Sequence, residues 1–354
     1  MLLADLGADV VKVERPGQGD DTRAWGPPYA GGEAAYFLAL NRGKRSVALD
    51  LARPEGQEVA QRLARSADVV VENFRQGTAE RLGVGYERLA QEQPGLVYCS
   101  ITGFGDERPG YDFVVQAESG LMAITGEADG EPMKVGVAVV DVLAGYAAAT
   151  AILAAVAARE GRRIEISLLD VALSALVNVA QSALVTGAEP RRHGNAHESI
   201  VPYQTFAASD ATVAVACGND SLYRRLCDAL GRPDLAADER FQTNPGRVEH
   251  REKLVGELST VFATRTADEW VARLTAAGVP AGKVRGVLEA LTDRGTAAVE
   301  HPTIGSLPLV PSPLGLAAEP PPLLGRHTRE VLAEAGYADE EAEALEAAGV
   351  IATS

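Results

Sequence analysis

Three short apolar runs constrain this chain more than any other feature: "ADVVKVE" (8–14), "ADVVVENF" (67–74) and "LVYCSITGFG" (96–105). Each has the length and valine-rich texture of a buried strand and ends in polar or turn-forming residues. Amphipathic helix candidates precede the first two, the second being "RPEGQEVAQRLARS". Repeated helix-to-strand units need crossover connections, which place the strands in parallel and cover the sheet on both faces. An α/β fold is expected.

The stretch "VGVAVVDVLAGYAAATAILAAVAAREG" (135–161) sets one carboxylate, Asp141, at the head of an alanine-rich apolar run. The run 142–158 is dominated by alanine rather than leucine, so a buried core helix explains it better than a membrane span. An ionised carboxylate is costly to bury unless something satisfies it. An N-cap role would do so: the side chain accepts from a first-turn amide, and the helix dipole favours the charge by a few tenths to about 1 kcal/mol. The same placement would keep a nucleophilic carboxylate ionised at neutral pH, so the residues alone leave cap and catalyst both open.

"RRIEISLLDVALSALVNVAQSALVTG" reads as a strand running into another apolar helix, and the texture changes near 185–205. Two probable strands follow in "HGNAHESIVPYQTFAASDATVAVACGN", then helical segments over 221–297. The proline-rich run 308–325 reads as an extended connector, and a charged helix closes the chain.

With 46% hydrophobic and 23% charged residues in 354, the chain is globular, and its formal net charge of -16 argues against nucleic-acid and anionic-membrane partners. Cys99, Cys217 and Cys227 are too scattered for a disulfide framework or a zinc motif. That usage, with acidic residues where a signal peptide needs a basic head, points to a reducing cytoplasm.

No GxGxxG joins a strand to a helix, so Glu14 at a strand end is read as structural. Walker A, HExxH and GxSxG patterns are absent, and the five histidines are dispersed, so no metal site is expected. Basic residues do recur after strands: Arg15, Arg23, "NRGKR" (41–45), Arg75 and Arg81. Ligands of an open parallel sheet gather beyond the carboxyl ends of its strands, so these groups fit either an anion site or solvated surface. Asn73 and Phe74 offer an amide beside an aromatic face at such an end.

Taken in order, "LLADLGADVVKVERPGQGDDTRAWGPP", "ALNRGKRSVALDLARPEGQE", "ADVVVENFRQGTAERLG", "YDFVVQAESGLMAITG", "GVAVVDVLAG", "AGVPAG" and "PPLLGRHT" closely resemble the class III coenzyme A transferases, relatives of α-methylacyl-CoA racemase. The resemblance covers essentially the whole chain. It implies a Rossmann-like large domain, a smaller α+β domain inserted late, and a homodimer threaded like linked rings. On this chain the large domain would span 1–195, connector and strands 196–220, the small domain 221–307, and connector and return 308–354.

The resemblance further implies that coenzyme A moves from an acyl-CoA to a free carboxylic acid through an aspartyl mixed anhydride and an aspartyl-CoA thioester, with CoA as substrate and no permanent cofactor. Asp141 matches the catalytic aspartate. Arg15, Leu49, Asn73, Phe74 and Arg81 match CoA-contacting positions, and Tyr111, Gln116, His197 and Glu198 fall on the substrate side. Tyr111 stands where racemase relatives place a histidine. A phenol with a pKa near 10 is a poor α-proton shuttle at neutral pH, which favours transfer over racemisation. The loop around His197, Glu198 and Ser199 lacks the glycine run of formyl-CoA transferase, which argues against oxalate. Family members begin with a further strand and an "AGP" loop ahead of the position matching "MLLADLGADVV". A CoA-binding protein without turnover is therefore the remaining alternative to transferase and racemase.

Overall fold

The structure, a computed structural model, describes residues 1–317 and 319–354; Ala318, inside the expected connector, lies outside the described residues. The chain divides into two compact units. The first combines Met1–Ser119, Gly136–Val177 and Leu291–Ser354, and the second combines Gly120–Val135 and Asn178–Ala290. Residues 120–135 thus group with the second unit, and 291–307 with the first.

In the first unit the three apolar runs are strands Val10–Glu14, Val69–Glu72 and Val97–Thr102. They do not share one sheet. Val10–Glu14 pairs in parallel with Lys44–Leu49, whose other edge carries Ile351–Ala352 antiparallel. Val69–Glu72, Val97–Thr102 and Arg162–Ser167 form a separate, fully parallel sheet. The antiparallel hairpin of Ala297–His301 and Gly305–Leu309 packs on Leu38, so part of the expected connector is a strand.

The alanine-rich run forms the long helix Val139–Ala158. Ala144, Ala148, Ile152 and Ala155 recur on one stripe and are buried. Ala148, Ile152 and Ala155 share a core with Val97, Cys99, Ile164 and Ile166 of the parallel sheet. The remaining faces are also apolar, yet only 28% of the most apolar stretch is buried; by length and composition alone this helix could cross a membrane.

The apolar helix expected after Arg162–Ser167 is broken into Leu168–Ala175 and Val177–Thr186. Val177 takes φ +44°, a strained value for a β-branched residue, with no glycine or proline to announce the break.

The second unit pairs Tyr203–Ala207, Thr212–Ala216 and Ala281–Lys283 as an antiparallel sheet. Helices including Asp220–Leu230, Arg251–Phe262 and Ala267–Ala276 cover it. Its core is built around Tyr223, Leu254, Phe262 and Trp270, with Phe206 stacked on Phe262 at 4.6 Å. The mixed α/β class is as expected.

Candidate active site

The loop leaving Val97–Thr102 is pinched where Gly103 meets Gly110. A Cβ on Gly103 would lie 2.6 Å from the Gly110 Cα, so both positions require glycine. The pinch returns the chain to begin the helix Asp112–Glu118 immediately after Tyr111.

Asp112, buried at the start of that helix, reaches the head of the long helix. Its Oδ2 accepts from the Val140 amide at 2.8 Å and the Asp141 amide at 3.3 Å. Its Oδ1 accepts from Gln116 Nε2, one turn on. The N-cap position itself is Ala138, which has no side chain able to cap. Asp141 is therefore not the cap: it is the third helical residue, and Asp112 supplies the oxygen that the cap position lacks.

The Asp141 side chain is exposed and makes no hydrogen bond among the described residues. Enough protein surrounds it that desolvation, with the Asp112 carboxylate adding repulsion, pushes its pKa up to about 6. The group is still mostly ionised at neutral pH, with its pKa raised where a first-turn position by itself would favour a lower one. Tyr36 faces both carboxylates; burial, then Asp141 and Asp112, raise its phenol above the usual range. Asp112 and Tyr36 are residues that the sequence reading passed over. The only available sign was the Asp and Gln four apart in "YDFVVQ", a spacing that puts both on one helix face.

Gln116, expected on the substrate side, is fully buried and holds Asp112 instead. Tyr111 is 68% exposed beside the site. Leu49 is 1% exposed and packs with Val47, Val331 and Ile351, so its side chain is a core element and not a CoA contact.

The remaining first-unit candidates lie at strand ends. Phe74 lines a cavity of about 320 Å³ with Arg75, Glu80, Tyr86, Ser100 and Arg163, along one face of the parallel sheet and reaching its carboxyl end at Thr102 and Ser167. Asn73, beside it, is exposed, with the Phe74 amide held by Glu72 at 2.7 Å. Arg81 is exposed and touches Thr78 Oγ1 at 3.4 Å; Arg15, after the other sheet, pairs with Asp21 in solvent.

Other members of the basic ledge are spoken for. Arg23 binds Glu14 and Glu33, Arg42 binds Asp5, and Arg45 binds Asp9, Glu330 and Glu334. Glu14 is thus structural, as read from the sequence.

His197 and Glu198 lie in the second unit. The His197 ring is tilted against Tyr203 at 5.3 Å, its Nδ1 accepts from the Ser199 amide at 3.1 Å, and Arg251 donates to both backbone carbonyls. Among the described residues no group of three or more His, Cys, Asp or Glu side chains is placed to hold a metal ion.

A family described as CoA-transferase family III matches residues 1–328. The chain is 44% identical to a succinate–glutarate CoA-transferase of Agrobacterium fabrum, over 94% of this chain and 90% of that one. It is 40% identical to a succinyl-CoA:glutarate CoA-transferase of Mus musculus, covering 99% and 86%. A CAIB/BAIF family protein from Brucella suis, solved by crystallography, superposes with a TM-score of 0.80 at 41% identity, covering 94% and 93%. The chain belongs to CoA-transferase family III and is an enzyme that transfers coenzyme A between an acyl-CoA and a carboxylic acid.

Proposed function

We propose that Asp141 is the nucleophile and that the acids exchanged are small dicarboxylates. The observation that carries the first part is an ionisable carboxylate on the first turn of the long helix with no hydrogen bond of its own. An Asp141 oxygen attacks the thioester carbonyl; the C–S bond breaks, leaving a mixed anhydride and CoA thiolate. The thiolate attacks the aspartyl carbonyl, freeing the first acid and giving aspartyl-CoA. The acceptor carboxylate then displaces the thiolate to form a second anhydride. Thiolate attack on the acceptor's carbonyl releases the new acyl-CoA and restores Asp141. No net proton is consumed, and thioester energy is kept so long as water is excluded.

The dicarboxylate reading is supported by the names of the relatives above and of a succinyl-CoA:mesaconate CoA-transferase of Haloarcula hispanica at 41% identity. Phe74, Asn73 and Arg81 would take CoA along the carboxyl edge of the parallel sheet, and Arg15 its nucleotide end. His197 and Glu198 would serve the acceptor side, with Tyr111 beside the nucleophile.

The same reading includes a Rossmann-like large domain and an interlocked homodimer. Support for the dimer comes from the long helix, where Val142, Leu143, Tyr146, Leu153 and Val156 remain exposed in the single chain. A second copy covering them also accounts for the helix without a membrane. Three buried, unpaired cysteines suit the cytoplasm.

The test is to incubate the protein with succinyl-CoA and hydroxylamine and map the modified residue by peptide mass spectrometry. A hydroxamate at Asp141, lost in Asp141→Asn together with transfer to glutarate, is expected. Transfer by Asp141→Asn at an undiminished rate would overturn the assignment.

A further inference from the structure

We propose that Asp112, locked by Gln116, is the positioning residue of the nucleophile: it occupies the amides at the head of the long helix so that the Asp141 carboxylate stays unbound and turned away from them. The inference rests on Asp141 being the nucleophile.

A carboxylate in the first turn of a helix has ready partners in the orphan amides of that turn. An Asp141 side chain folded back onto them would be stabilised as an anion and turned away from a thioester. In this structure the Val140 and Asp141 amides are already taken by Asp112 Oδ2. Oδ1 is tied to Gln116 Nε2, whose side chain is fully buried and cannot swing away into solvent. The Gly103–Gly110 pinch fixes where the Asp112 helix starts, so the competition is decided by the backbone. Asp112 touches no reacting atom in this scheme and acts through Asp141.

A second effect follows from charge. The groups facing Asp141 are Asp112 and Tyr36, and the carboxylate beside it opposes its ionisation. A more basic carboxylate is a better attacking group as long as it is ionised at the working pH.

Asp112→Asn keeps an acceptor oxygen for the two amides and removes the charge. Asp112→Ala removes both. In Asp112→Asn the acid limb of kcat/KM for succinyl-CoA should move down by about one pH unit, as expected for loss of a neighbouring like charge. Titration of CoA itself cancels in this comparison with the wild type. In Asp112→Ala kcat should fall at least about 100-fold with KM for succinyl-CoA little changed, the pattern of an interaction needed only for the chemical step.

An acid limb in Asp112→Asn that coincides with the wild type, or Asp112→Ala with kcat within about threefold of it, overturns the proposal and leaves Asp112 a helix cap only. Should neither variant fold, carbon-13 NMR titration of the Asp141 carboxyl in the wild type, assigned with Asp141→Asn, decides instead. The Val140 and Asp141 amide protons are followed in the same titration: shifts that track the Asp112 carboxyl support the proposal, and shifts that track the Asp141 carboxyl overturn it. The hydroxamate at Asp141 in the wild type is measured alongside. Its absence removes the nucleophile reading, whereas its presence with an unshifted limb removes only the role of Asp112.

Discussion

Arg23 grips Glu14 through two parallel hydrogen bonds, Nε to Oε2 at 2.8 Å and Nη2 to Oε1 at 2.9 Å, with the two side chains 8% and 1% exposed. Ser46 and the Asp20 amide complete the set around the carboxylate. Burial alone would raise the Glu14 pKa; these donors, Arg23 first among them, outweigh it and hold the group below the usual range. Arg23→Ala should cost about 3–5 kcal/mol, because it leaves a buried charge without its counter-ion. Urea unfolding checks this, and an Arg23→Met, Glu14→Met pair should recover most of the loss. Because the folded pKa is depressed, the stabilisation is complete above the unfolded pKa of glutamate and fades as pH falls through the folded value.

Asp141 behaves with the opposite sign. Its folded pKa of about 6 lies above the ordinary aspartate value, so the folded state binds the proton more tightly and stability falls as pH rises from about 4 to about 6. Asp141→Asn should therefore melt higher than the wild type at pH 7.5, by about 1 kcal/mol or less at so exposed a position, with the gap closing by about pH 4. Thermal melts across pH measure it.

Activity follows the same titration. With Asp141 as nucleophile, transfer from succinyl-CoA should be flat above about pH 7 and fall tenfold per unit well below the Asp141 pKa of about 6. A full pH profile of kcat/KM reads the limb directly. A limb at the pKa of a free aspartate would mean that neither desolvation nor the like-charged neighbour raises the attacking group.

In the second unit, Arg247 is fully buried and donates to the Val201 and Phe241 carbonyls at 2.6 and 2.9 Å and to Asp220 Oδ1 at 2.8 Å, with its guanidinium over the Tyr223 ring. Arg247→Ala leaves two buried carbonyls and a carboxylate unserved and opens a void. A loss of about 3–5 kcal/mol is expected. Hydrogen exchange should report it over Val201–Cys217 and Phe241–Phe262 before the Val97–Thr102 sheet.

Leu153 and Val156, three apart on the exposed side of the long helix, test the dimer. On the proposed dimer, Leu153→Asp with Val156→Asp should shift the protein from dimer to monomer or aggregate in analytical ultracentrifugation, while a pair on the polar face of the second-unit helix Arg251–Phe262, Lys253→Ala with Glu257→Ala, leaves the sedimentation unchanged.

What the residues disclosed depended on how local each signal was. The Val10–Glu14 and Val69–Glu72 strands were legible because a short valine-rich run between polar ends has few other uses. Asp141 was legible as an isolated charge on an apolar run. Whether it also capped the helix stayed open in the sequence because the acceptor, Asp112, lies 28 and 29 residues from the amides it serves. Arg23 and Arg42 fitted either an anion site or solvated surface, and are neither, for a related reason: Glu14, Glu33 and Asp5 are brought to them only by folding. Leu49 and Gln116 matched family positions, but matching a position carries no information on which way a side chain points. The break at Val177 left no trace, since the strain is borne by an ordinary helix-compatible residue.

Within its own chain the long helix buries only 28% of its most apolar stretch. On the proposed dimer, a newly made copy carries a sticky stripe about 30 Å long until it is covered, and its lifetime would be set by how fast a second copy arrives as well as by its internal contacts. Abundance of the active enzyme should then rise more steeply than synthesis, because uncovered chains are the ones available to chaperones and proteases.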